Sequence, residues 1–214
     1  MLKPELELRY DTLRETSVAT DPFPHVVVPD FIPPERLGTI VEALPPMSSG
    51  GSFPPGSLRL RPVVQALVRE LEGPRLRDAI ADKFGLDLND APSMLTLRGR
   101  TREKDGRIHR DSTAKRVTIL LYLNPENESW ARREGCLRLL RQPDDIEDYA
   151  VEVPPVNGTL LAFPNGETTW HGHRQYVGRR YAIQLNYMAV GAKARTEMRR
   201  HRLSALLKRF ASAA

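Results

Sequence analysis

Beyond about residue 92 the chain breaks into short strand-like runs, and this pattern limits its fold more than any other feature. The runs are Met94–Leu97, Val117–Leu123, Cys136–Leu140, Thr159–Phe163 and Tyr181–Met188, separated by turns rich in Gly, Pro, Asn or charge. Several short strands at this spacing predict a mainly β domain, a sandwich or barrel with helices packed outside it.

The preceding segment supplies those helices. Pro22-Phe-Pro-His-Val-Val-Val-Pro-Asp30 reads as a short strand bounded by prolines. Pro33-Pro34-Glu35 opens a helix that runs to about Leu44, where Pro45-Pro46 stops it. Met47–Ser57 is a loop rich in Ser, Gly and Pro. Helical patterns return at Val63–Leu71 and at Arg75–Phe84, the second closed by Gly85. A last helix over about 192–210 puts Met198, Leu203, Leu206, Leu207 and Phe210 near one face, as a helix docked on the core would. One domain is expected, with 1–91 as helical support, 92–190 as the β core and 191–214 as a basic C-terminal helix.

Charge and composition exclude several classes. The net charge of +5 comes from the tail, where residues 191–214 hold seven basic side chains against the single acid Glu197. The body is close to neutral and offers no phosphate-tracking groove, which disfavours a nucleic-acid partner. No apolar run approaches the roughly 18 residues that a membrane span needs. The start of the chain lacks the basic-then-apolar layout of a secretory signal, so a cytoplasmic location is expected. Cys136 is the only cysteine, which precludes an internal disulfide and a thiolate cluster.

The chemistry starts at Ile108-His109-Arg110-Asp111. In an extended segment residues i and i+2 share a face, so His109 and Asp111 can reach one metal from a single strand end. The strongly β-prone Arg116-Val-Thr-Ile-Leu-Leu-Tyr-Leu-Asn124 follows. Farther on, the apolar run Thr159-Leu-Leu-Ala-Phe163 precedes Trp170-His171, and Gly178-Arg179-Arg180-Tyr181 opens another strand. Two neutral imidazoles and one carboxylate on one face of a metal leave three positions open, the arrangement of non-haem iron(II) oxygenases. His173 competes with His171 under the same i/i+2 rule, and Arg179 competes with Arg180, since only one of two successive strand residues points inward. His25 and His201 read as structural or exposed.

Taken together, these motifs resemble the 2-oxoglutarate/iron(II) dioxygenases, in the branch that holds the prolyl 4-hydroxylases. The resemblance covers roughly residues 94–188. It rests on His109-Arg-Asp111, on Tyr122-Leu-Asn124, on Trp130-x4-Gly135-x-Leu137-Arg138-Leu139, and on His171 followed nine residues later by Arg180-Tyr-Ala-Ile183. It implies a double-stranded β-helix (jelly roll) holding Fe(II) through His109, Asp111 and His171. The same resemblance implies 2-oxoglutarate as co-substrate, its distal carboxylate paired with Arg180 and supported by the Tyr122 hydroxyl, with ascorbate as an optional reductant. The nine-residue interval to Arg180 matches the family at His171 and not at His173. Related halogenases carry a small residue in place of the carboxylate, so Asp111 implies hydroxylation rather than chlorination.

One departure stands out. Many relatives have a tyrosine about ten residues before His-x-Asp, and here Met94-Leu-Thr-Leu-Arg-Gly99 puts Leu97 or Arg98 in that neighbourhood. The expected activity is hydroxylation of an unactivated C–H bond. A prolyl or other protein side chain, a free amino acid and a glycan-like small molecule remain open as substrates. A catalytically silent jelly roll that senses metal or ligand is the non-enzymatic alternative. The loops Met47–Ser57 and Gly99–Arg107 are candidate lids.

Overall fold

The structure, a computed structural model, describes residues 6–126, 130, 132–191, 195, 196, 198 and 199. Four helices come first: α1 (Tyr10–Glu15), α2 (Pro34–Glu42), α3 (Pro62–Leu71) and α4 (Pro74–Phe84). Proline fills the first position of α2, α3 and α4, where its missing N–H costs nothing and its fixed φ suits the helix. Gly85 ends α4 in the left-handed conformation, at φ 62°.

Eight strands form two antiparallel sheets. They are β1 (Val26–Val28), β2 (Ser93–Thr101), β3 (Lys115–Tyr122), β4 (Leu137–Leu140), β5 (Tyr149–Val153), β6 (Leu160–Pro164), β7 (His171–Gly172) and β8 (Gly178–Met188). The larger sheet has the order β1-β6-β3-β8-β2 and the smaller β5-β4-β7. The jelly-roll expectation is met. All five runs read as strands are strands, and the N-terminal segment contributes β1 to the large sheet beside β6. Three elements had no counterpart in the sequence reading: α1, β5 and the two-residue β7. The helix expected over about 192–210 lies mostly outside the described residues, although Met198 packs on Met94, Ala114 and Met188.

The large sheet is covered on both faces. Val117, Ile119 and Leu121 of β3 join Leu95, Leu97, Ile183 and Leu185 in the core shared with Leu13, Ile40, Leu67, Leu71, Leu76 and Ile80 of the helices. The opposite face meets the small sheet, where Leu137, Leu139 and Val153 pack on Tyr122, Leu161, Phe163 and Ala182. A strand covered twice has no polar face to show, so β3 and β6 read as nearly continuous apolar runs. Polar residues on that second face are therefore conspicuous. Thr118, Tyr122, Arg180 and Gln184 all point between the sheets.

Candidate metal centre

His109 and His171 meet because their backbones pair. Each donates its N–H to the other's carbonyl at 3.0 Å, so His109 extends the small sheet past β7. The two rings lie 4.3 Å apart, centroid to centroid. Both imidazoles direct Nδ1 at a backbone carbonyl, His109 at Arg107 (2.8 Å) and His171 at Thr169 (2.9 Å). A carbonyl can only accept, so each Nδ1 carries the proton and each Nε2 presents its lone pair. Burial, then the neighbouring His109, lowers the His171 pKa to about 4, which keeps that ring neutral and competent as a ligand near pH 7.

Asp111 completes the group. The ligand atoms of His109, Asp111 and His171 all lie within 4.8 Å of one another. Arg110 between them points away, stacks on Trp170 at 4.6 Å and donates to the Glu167 carbonyl, so the i/i+2 geometry holds. Lys115 Nζ donates to Asp111 Oδ1 at 2.5 Å and Thr118 Oγ1 to Oδ2 at 2.6 Å. Burial opposes ionisation of Asp111, but the Lys115 ammonium, His171 and these hydrogen bonds hold its pKa below the ordinary carboxylate value. Each carboxylate oxygen keeps a second lone pair for a cation. Two neutral imidazoles and an anionic oxygen donor suit a divalent first-row metal such as Fe(II).

The same cavity, about 290 Å³, extends from this group to Tyr122 and Arg180. Asn124 sets their relation. Its side-chain oxygen accepts from the Tyr181 N–H at 2.7 Å and its amide donates to the Tyr181 carbonyl at 2.9 Å, locking the end of β3 to the start of β8. Arg180 Nε donates to the Gly135 carbonyl at 2.9 Å, and its guanidinium lies 5.2 Å from the centre of the Tyr122 ring. Among the described residues, the buried Arg180 Nη2 and Tyr122 hydroxyl have no hydrogen-bond partner. Burying polar groups unpaired is costly, so two such donors facing one cavity fit an oxyanion ligand.

The rivals separate cleanly. Arg179 is exposed and lies over Tyr181, whereas Arg180 is buried in the cavity. His173 also lines the cavity but stands outside the three-residue group, its Nδ1 at the Arg174 carbonyl. His25 is buried against Phe23, with Nδ1 on the Phe23 carbonyl, and His201 lies outside the described residues. The sequence reading did not single out Lys115 and Thr118. Their signal was present, since Thr118 sits four residues before Tyr122 on a period-2 strand and Lys115 four after Asp111. Both candidate lid segments reach the cavity, through Gly51 and Ser52 on one side and Arg100–Gly106 on the other.

Residues 99–188 match the family described as the 2OG-Fe(II) oxygenase superfamily, and the three-residue group falls within that span. Over that part the chain is similar to the 2OG-Fe(II) oxygenases. The family uses Fe(II) and 2-oxoglutarate, and the His-Asp-His group of this chain fits iron. Solved structures share the fold. A Pseudomonas putida prolyl-4-hydroxylase is 20% identical, with 85% of this chain and 97% of that chain covered at a TM-score of 0.51. A prolyl 4-hydroxylase from Phytophthora capsici is 16% identical, with coverage of 91% and 70% and a TM-score of 0.56. The viral collagen prolyl hydroxylase of Paramecium Bursaria Chlorella virus-1 is 15% identical, with coverage of 89% and 99% and a TM-score of 0.54. No curated protein matches the sequence significantly. The chain has the jelly-roll architecture, and among its described residues no helix is long and apolar enough to cross a membrane.

Proposed function

We propose that the chain hydroxylates an unactivated C–H bond, with Fe(II) held by His109, Asp111 and His171 and 2-oxoglutarate gripped by Arg180 and Tyr122. One observation carries the reading: a three-ligand group and two orphaned buried donors share one cavity. When bound, iron and co-substrate would supply the oxidising power, since dioxygen converts 2-oxoglutarate to succinate and carbon dioxide while its second oxygen atom becomes the product hydroxyl.

The chain's own residues do the holding. Both histidines offer Nε2 because carbonyls occupy Nδ1. Lys115 and Thr118 fix the orientation of the Asp111 carboxylate and keep it ionised. The free Nη2 of Arg180 and the Tyr122 hydroxyl give a distal carboxylate two charge-assisted or neutral donors. Leu120, Leu137 and Ala182 add apolar surface to the lining of the same cavity.

The test is succinate release from 2-oxoglutarate with Fe(II) under air, scanned across substrate classes. Arg180→Gln is expected to raise the KM for 2-oxoglutarate by about tenfold or more. Absence of turnover in the wild type, even uncoupled from a substrate, would overturn the reading. Peptidyl proline is the first class to try, because similar solved structures are of prolyl hydroxylases. A free small molecule is the second, and the basic lining of the cavity favours it.

A further inference from the structure

The cavity holds more positive charge than the proposed co-substrate uses. Arg98, Arg100, Arg102, Lys115 and Arg180 all line it. Lys115 is neutralised by Asp111 at 2.5 Å, and Arg102 by Asp105 at 3.1 Å. Arg180 is committed to the co-substrate in the reading above. Arg98 and Arg100 remain, and among the described residues neither guanidinium has a hydrogen-bond or ion-pair partner.

The strand register explains how Arg98 comes to face inward. Arg98 of β2 stands opposite Ala182 of β8, which stands opposite Tyr122 of β3. Side chains in one cross-strand row share a face, so Arg98 and Tyr122 project into the cavity with only the Ala182 methyl between them. Arg100, two residues along β2, shares the face of Arg98 and also lines the cavity, while the register shift between them places the extra residue on β8. Glycine at position 99, between the two arginines, admits the close approach of Met47 on the other face: a Cβ there would lie 2.3 Å from the Met47 Cβ and 2.9 Å from its carbonyl. Arg98 and Arg100 are both exposed to solvent where they line the cavity. Desolvation, then the nearby Arg180 charge, lowers the Arg98 pKa. Asp111 and Asp105 lie near enough to favour the Arg98 charge, but each is already paired with another cation, so an incoming anion would add to its stabilisation.

We propose that Arg98, flanked by Arg100, receives a carboxylate or phosphate of the molecule to be hydroxylated, so that the substrate is a small organic acid. The proposal rests on the oxygenase reading above. A neutral prolyl side chain would leave Arg98 without a counterion. The cavity is about 290 Å³ in all, at the lower limit for ligand pockets, and the co-substrate takes part of it. What remains suits a small molecule rather than a chain threading through.

The full chain loaded with Mn(II) and saturated with N-oxalylglycine, which blocks the co-substrate subsite, is titrated calorimetrically with three probes. These are N-acetyl-L-proline, its uncharged carboxamide and inorganic phosphate. One of the two anions is expected to bind and the carboxamide not, and the preferred anion tells carboxylate from phosphate. Arg98→Gln is expected to weaken that anion by about tenfold or more, Arg98→Lys by less, while N-oxalylglycine affinity in Arg98→Gln shifts by less than about threefold. If N-oxalylglycine binds but neither anion does, the substrate inference fails and the oxygenase reading stands. If Arg98→Gln weakens N-oxalylglycine as strongly as Arg180→Gln does, Arg98 belongs to the co-substrate and the inference is overturned. If N-oxalylglycine fails to bind the Mn(II) protein at all, both readings fall.

Discussion

Thr118→Val probes the proposed metal centre without touching a ligand. Thr118 is 1% exposed and places its hydroxyl 2.6 Å from Asp111 Oδ2 and 3.0 Å from Asn186 Oδ1, while accepting from Asn165 Nδ2 at 3.0 Å. A hydroxyl has one proton to give. The shorter, charge-assisted contact shows that Asp111 takes it. Valine keeps the shape of threonine and deletes that donor, leaving the carboxylate held by Lys115 alone and the Asn165 amide without this acceptor. A hydrogen bond to a charged group contributes roughly 1.5–3 kcal/mol. Losing a partner that orients a metal ligand typically lowers metal affinity about 10–100-fold, or roughly 1.4–2.8 kcal/mol, so the two estimates agree. The measurement is anaerobic calorimetry of Fe(II) binding, with the melting temperature of the metal-free protein followed alongside. Thr118→Ser restores the hydroxyl without the methyl and is expected to bind within about threefold of wild type. If the valine variant stays folded and binds iron as tightly as wild type, or if serine is as poor as valine, the hydroxyl does not position Asp111.

Other consequences concern stability and reactivity. Arg138 is 1% exposed, donates to Glu152 at 2.6 Å and to Glu147 at 2.7 Å, and stacks on Tyr149; Arg138→Met should lower unfolding free energy by roughly 1.5–3 kcal/mol in urea titration, since it leaves the largely buried Glu152 with only the exposed Arg133 at 3.4 Å. Hydrogen bonds from Arg174, then from Arg138, lower the Glu147 pKa to about 2. Its folded value lies below the unfolded one, so the stabilisation is present above pH ~4.5 and is lost as pH falls toward 2. Melting temperatures across that window should fall more steeply in wild type than in Arg174→Gln, and parallel curves would refute the linkage. Burial, then Glu152, pushes the Cys136 thiol up to about 11, so a thiol reagent at pH 8 should label it only as fast as the protein opens in denaturant.

Much of the site was legible in sequence because strands have a period of two. That rule alone aimed His109 and Asp111 the same way and put Arg110 outside, as its stack on Trp170 bears out. It could not separate His171 from His173, because both satisfy it and both line the cavity. The nine-residue interval to Arg180, read through the family resemblance, favoured His171; in the structure the backbone bridge between His109 and His171 brings those two rings together and leaves His173 against Gly106. Elements of weak local pattern went unread for a related reason. β7 is two residues long and exists because β4 and His109 flank it, and β5 is a half-buried edge strand with little apolar alternation.

The sequence by itself determined the β-rich core, the proline-started helices and the identity of the residues able to bind metal, because propensity, turn chemistry and ligand type are local properties. The tertiary structure alone decided which polar side chains share one cavity. It left Arg180 Nη2 and the Tyr122 hydroxyl without hydrogen-bond partners among the described residues, and it placed Arg98 in the same cross-strand row as Tyr122. The physical reason is that pairing and desolvation depend on distance through space between strands remote in sequence, which no single segment encodes.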